Sequence, residues 1–332
     1  MLTFKRLLFL YIFFPIYLFA TNMSFYNSNT FLSLKEDELI VSNFPESIKA
    51  PGVIFDDYLR ESSVRVMYHH KNGLSYSVFV VVSITNESKI PAKFQFMKGL
   101  GGSSEDVVFT GHISMAKFMQ SLLSGGETIS LDSGETKQLI FHKIKSGKTV
   151  SGLFRVARDN NPELNLNIRV VDAQFPSLSG FADVPSILDR FKYGRFSDSY
   201  VHIKETFRMD GVNKVIRIGD APYVKDSRTG IDMKGNYGAA YYVDILLYNP
   251  KKKNQNLVLF FSPVKKDSVD RGVILLDETV VETDILTYKG ESKDAEQIGY
   301  YTLEPKEERR IRLFMIPQAG VFYPIDLTFY CL

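Results

Sequence analysis

From Gly235 to Pro263 the chain alternates apolar and polar residues, breaks, and alternates again. Tyr241, Val243, Ile245 and Leu247 fall on one face of an extended strand, because successive side chains of a strand point to opposite sides. Asn249-Pro250 ends the run, since proline has no amide proton for a ladder. Lys251 to Asn254 make a polar tip, and Leu257, Leu259 and Phe261 resume the period. The pattern predicts two strands joined as a hairpin.

The same pattern stands earlier, with Val78, Val80, Val82 and Ile84, then Asn86, then Phe94 and Phe96. A shift of 163 positions lays Val78 on Tyr241, Asn86 on Asn249 and Phe94 on Leu257 without a gap. A second block matches at a shift of 172, where Leu131, Leu139 and Phe141 fall on Leu303, Ile311 and Leu313. Two blocks in one order predict an internally duplicated β unit. Many short strands with frequent turns predict sandwiches. The expected fold is therefore all-β, with two tandem immunoglobulin-like β-sandwich domains over 21–172 and 200–332 and a connection over 173–199.

Other periods change this picture in few places. Met115, Phe118, Met119 and Leu122 fall at helical spacing, which predicts one short helix over Ser114–Ser124, capped by Ser114 and ended by Gly125, packed as a lid over an open end of the sandwich. A second short helix is expected at Ile187–Phe191 within the connection. Asn72-Gly73 reads as a tight turn. Gly99 to Ser104 reads as a glycine-rich loop. It lacks the Lys-Ser/Thr pair of a phosphate loop, and a strand rather than a helix is expected after it. Glu36, Asp37 and Glu38 read as a solvated turn.

Residues 1–20 read as a signal peptide. Lys5-Arg6 precede an apolar run from Leu7 to Phe19, too short for a spanning helix, and Ala20 offers a small residue for cleavage. Export to the periplasm, the cell surface or the extracellular space is expected, with no transmembrane span in the mature chain. Without Lys5 and Arg6, 38 basic side chains balance 38 acidic ones, so no basic field for nucleic acid is present. The lone cysteine, Cys331, excludes an intrachain disulfide. The chain has 26 Phe and 18 Tyr but no Trp, which weakens a lectin reading of Tyr237, Tyr241, Tyr242 and Tyr248.

Chemistry-bearing patterns are sparse. His69, His70 and His112 are the best metal candidates, yet neighbours on a strand face opposite ways and cannot easily share an ion, so no metal and no cofactor is expected. No nucleophile-elbow motif is present, and no catalytic residue is assigned. Lys251–Lys253 and Lys265-Lys266 read as solvated tips.

At His69-His70-Lys71-Asn72, Gly235-Asn236-Tyr237-Gly238, Asn249-Pro250, Met315 to Gly320 and Tyr323-Pro324 the chain resembles a group of secreted bacterial proteins with no assigned activity. The resemblance implies export and a tandem β architecture, and it transfers no catalytic residue. The favoured reading is an exported, non-enzymatic binding or structural protein with an envelope protein or a polysaccharide as partner. A ligand is expected between the halves, at His69, His70, Asn72, Asn236 and Tyr237. Two other readings stand beside it. A periplasmic chaperone or scaffold needs an unguarded sheet edge. A polymer hydrolase needs two carboxylates facing each other across a groove.

Overall fold

The alternating runs fold as strands, and the described residues are mostly β with one α-helix. The computed structural model describes residues 33–44, 46–159, 162–173 and 192–332. The expected signal peptide and the expected helix at 187–191 lie outside the described residues. The first half holds β1 (Glu38–Phe44), β2 (Ser47–Ile48), β3 (Gly52–Tyr58), β4 (Ser63–Asn72), β5 (Val78–Asn86), β6 (Ala92–Ser104), α1 (Val107–Leu123), β7 (Glu127–Leu131), β8 (Thr136–Ile144), β9 (Thr149–Arg158), β10 (Leu164–Asp172) and β11 (Lys192–Phe196). The second half holds β12 (Tyr200–Arg208), β13 (Lys214–Ile218), β14 (Ala240–Tyr248), β15 (Gln255–Pro263), β16 (Ser268–Asp270), β17 (Val273–Leu276), β18 (Thr279–Glu282), β19 (Leu286–Lys289), β20 (Ser292–Lys293), β21 (Glu296–Leu303), β22 (Glu308–Met315) and β23 (Ile325–Cys331).

Two sheets, ordered β11-β1-β4-β9-β6-β7 (with β2 beside β4) and β3-β10-β5-β8, enclose a core that includes Phe55, Val80, Phe94, Phe154 and Ile168. Two more, ordered β12-β14-β22-β17-β18 and β13-β23-β15-β21, hold Val243, Ile245, Leu259, Phe261 and Phe329 in a second core. A small sheet, β16-β19-β20, stands beside them. β11 falls within the stretch expected to be a connection, yet it pairs with β1 at the edge of the first sheet.

The expected hairpins are not hairpins. β5 and β6 belong to different sheets, and so do β14 and β15. Each pair is an arch that crosses the sandwich. The asparagine that ends the first strand explains the crossing. Asn86 Nδ2 donates to the carbonyl of Ile90 in its own arch at 2.8 Å and to those of Leu131 and Asp132, in the arch from β7 to β8, at 3.3 and 3.1 Å. Asn249 Nδ2 donates to Lys253, Leu303 and Glu304 in the same way, at 2.8, 3.1 and 2.8 Å. A buried amide with three carbonyl acceptors pins two arches together and leaves no donor unmet.

The duplicated pattern reaches the strand registers. Ala92 pairs with Leu131, and Gln255 pairs with Leu303. Thr85 pairs with Thr136, and Tyr248 pairs with Glu308. These are the partners that the 163- and 172-residue shifts demand. The halves differ beside β5 and β14: β10 pairs antiparallel with β5, whereas β12 runs parallel to β14.

The first sheet is covered on both sides. Ile40, Val64, Val66 and Tyr68 face its own sandwich, while Leu39, Val41, Met67 and Leu153 face the cluster that continues into the second half. Between the halves lies α1. It runs from Val107, seven residues before the expected start, and Asp106 rather than Ser114 caps it, with Oδ1 accepting from the Phe109 amide at 2.9 Å. Met115, Phe118, Met119 and Leu122 are buried in the shared cluster, worth about 1.5–3 kcal/mol each. The helix is thus not a lid over an open end but a layer against the first sheet. Gly99 to Ser104 is correspondingly not a loop but the end of β6. A Cβ at Gly99 or Gly101 would strike the helix backbone at Ser114 or Thr110, so glycine is what lets the helix approach.

Candidate functional site

A cavity of about 440 Å³ opens where β1, β4, the start of α1 and the 319–322 segment meet. Its walls come from both halves. Asp106 fixes the first turn of α1 and so presents Val107 and Val108. The 319–322 segment presses against that turn: a Cβ at Gly320 would overlap the Val107 carbonyl, and one at Gly111 would overlap that of Ala319. Phe322 N donates to Asp270 Oδ1 at 3.1 Å, and Tyr237 Oη donates to the Val321 carbonyl at 2.9 Å. These two bonds hold Val321 and Phe322 in the wall. The Tyr237 ring also meets Tyr323 edge-on, with centroids 5.6 Å apart.

A buried ionic network ties the Tyr237 loop to the first sheet. Asp37 accepts from Arg65 at 3.0 Å and from Arg155 at 3.0 Å. Arg65 then reaches the Gly238 carbonyl at 3.2 Å and Ser199 Oγ at 3.0 Å. Burial pulls the Arg65 guanidinium below its ordinary pKa, against the pull of Asp37. Nearby, Arg195 holds Glu38 at 2.8 Å and Asp57 at 3.0 Å. The expectation of a solvated Glu36–Glu38 turn therefore fails at Asp37 and Glu38, which are buried because guanidinium groups from distant strands neutralise them. On the far flank, His112 of α1 meets Glu282 of β18 at 2.6 Å. Burial and Arg271 hold that imidazole below its usual pKa, while Glu282 pulls the other way.

Of the five expected site residues, the structure brings two to the cavity, His69 and Tyr237. His69 Nδ1 lies 2.6 Å from Ser151 Oγ. Burial keeps the imidazole below its ordinary pKa, with Glu46 opposing. Ser151 is buried and stands outside the cavity wall, so its hydroxyl orients the ring and does not meet a ligand there. His70 points the other way, stacks on Tyr68 and lies 3.3 Å from Ser42 Oγ. Asn72 pins two arches, donating to the carbonyls of Tyr76 at 2.7 Å and Ile144 at 3.1 Å. Asn236 sits at φ +48° and clamps a loop through Val224 N and Tyr241 Oη. These three are framework residues, and the two Asn turns do not meet at the cavity.

Met67, Val108, Val269 and Val321 also line the cavity, and sequence reasoning missed them because an isolated apolar residue reads as core. Glu46 is the one carboxylate among the lining residues, so the walls do not offer the facing pair that a polymer hydrolase needs. Among the described residues no three of His, Cys, Asp or Glu gather to hold a metal, and no helix is long and apolar enough to cross a membrane.

No known protein family matches the sequence, and no curated protein does. Among solved structures, the chain is similar to the N-terminal CBM22-1-CBM22-2 tandem domain of Xyn10C from Paenibacillus barcinonensis, at 9% identity and a TM-score of 0.20, over 85% of this chain and 91% of that one. It is also similar to the PBSX exported protein XepA, at 11% identity and a TM-score of 0.18, over 85% of this chain and 86% of that one. Scores of this size mark loose likenesses.

Proposed function

We propose that this chain is an exported, non-enzymatic binding protein of the cell envelope or the space outside it. In this reading two immunoglobulin-like sandwiches, within 21–172 and 200–332, grip a small ligand between them. The observation that carries it is the 440 Å³ cavity, walled by both halves and mostly apolar, with a few polar groups. A volume of a few hundred Å³ with sparse polar groups is the usual form of a small-molecule site, and interfaces between structural units are a usual place for one. The Lys5-Arg6 and Leu7–Phe19 pattern supports export.

The test is a titration with the apolar dye N-phenyl-1-naphthylamine. One saturable site is expected. Val321→Trp, which fills the cavity, should abolish binding while circular dichroism and melting temperature stay near those of the parent. Non-saturable uptake, or full binding in a folded Val321→Trp protein, overturns the reading.

A further inference from the structure

This inference rests on the cavity being the ligand site and concerns what the ligand is. Glu46 is an exposed carboxylate among the lining residues and forms no ion pair or side-chain hydrogen bond among the described residues. The other potentially charged wall residue, His69, is held toward its neutral form by burial. Val41, Met67, Val107, Val108, Val269 and Val321 supply an apolar surface. The ammonium of Lys265 is already engaged with the wall, standing 4.5 Å from the Phe322 ring centroid and opposing the Asp270 charge.

We infer that the cavity takes an amphipathic amine, with its apolar body against the valine wall and its protonated nitrogen on Glu46. Because Glu46 is exposed to solvent, a neutral head there would forgo a charge-assisted bond, and an anionic head would meet it with like charge. An ammonium turns the same group into a charge-assisted hydrogen-bond acceptor. The aromatic ring of Tyr237 adds a face that attracts cations.

The experiment displaces bound N-phenyl-1-naphthylamine from the full chain with decylamine, decanol or decanoate at neutral pH, each below its micellar concentration. Decylamine is expected to displace the dye at a concentration at least about tenfold lower than decanol, with decanoate weakest, as one charge-assisted bond implies. Glu46→Gln should bring decylamine to the level of decanol and leave decanol unchanged. Equal or better displacement by decanol or decanoate, or a decylamine advantage that survives Glu46→Gln, overturns the amine assignment alone. Failure of all three to displace the dye overturns the cavity reading with it.

Discussion

Arg65 and Asp37 form an ion pair 3.0 Å long in which neither side chain reaches water. The pair joins β4 to the segment before β1, and through Gly238 and Ser199 it fastens the second half. Removing one member of a buried pair leaves the other charge stranded, which costs about 3–5 kcal/mol. Asp37→Asn is therefore expected to lower the unfolding free energy by that amount, since Arg65 and Arg155 both lose their counter-charge. Urea titration followed by tyrosine fluorescence measures it. A change below about 1 kcal/mol would contradict the burial of the network.

At Gly111, α1 packs against the Ala319 carbonyl of the second half with no room for a Cβ. Gly111→Ala forces a methyl into that contact. A loss of about 1–3 kcal/mol is expected, as for overpacked interiors, together with weaker dye binding because the 319–322 wall must shift. An unchanged melting temperature would show that the two surfaces are not in contact.

Asn86 and Asn249 do the same work in the two halves, so Asn86→Ala and Asn249→Ala should each cost about 1–3 kcal/mol, the penalty of leaving buried carbonyls without a donor. One difference between the equivalent turns bears on backbone strain. Gly134 stands at φ +76° and Lys306 at φ +66°. The left-handed backbone suits glycine and strains lysine. Lys306→Gly should therefore gain about 0.5–1 kcal/mol, and Gly134→Lys should lose about as much or more. Thermal melts of the four variants check the pairing.

Asp270 titrates at about 6, because burial raises it more than Ser268, the Phe322 amide and Lys265 lower it. Its folded pKa lies above the unfolded value of about 3.9, so across that interval the folded chain binds the proton more tightly. Stability contributed through this group falls as pH rises from about 4 to about 6, and the cost persists above. Asp270→Asn keeps an acceptor for Phe322 N and removes the charge. It should gain about 1–3 kcal/mol at pH 8 and change little at pH 4. Equal effects at both values would contradict a buried, ionised carboxylate.

Much of the strand pattern was legible because alternation is a local property. Val78 to Ile84 and Tyr241 to Leu247 announce their inward faces, and the matched shifts announce the repeat. Pairing was not legible: an arch and a hairpin share one pattern, and only the partners of Asn86 and Asn249 tell them apart. The burial of Asp37 and Glu38 was hidden because Arg65, Arg155 and Arg195 are far along the chain. At the site, His69 and Tyr237 were visible as polar residues beside turns. Val107, Val269 and Val321 were not, because their role follows from where three remote segments meet.

The sheet that carries β4 has no spare side. Beside the α1 layer, Leu39 and Met67 lie against Gly238 of the second half. Cutting the chain near 173–199 would strip that cover and leave a greasy plane in contact with solvent, so the isolated piece is expected to self-associate or precipitate.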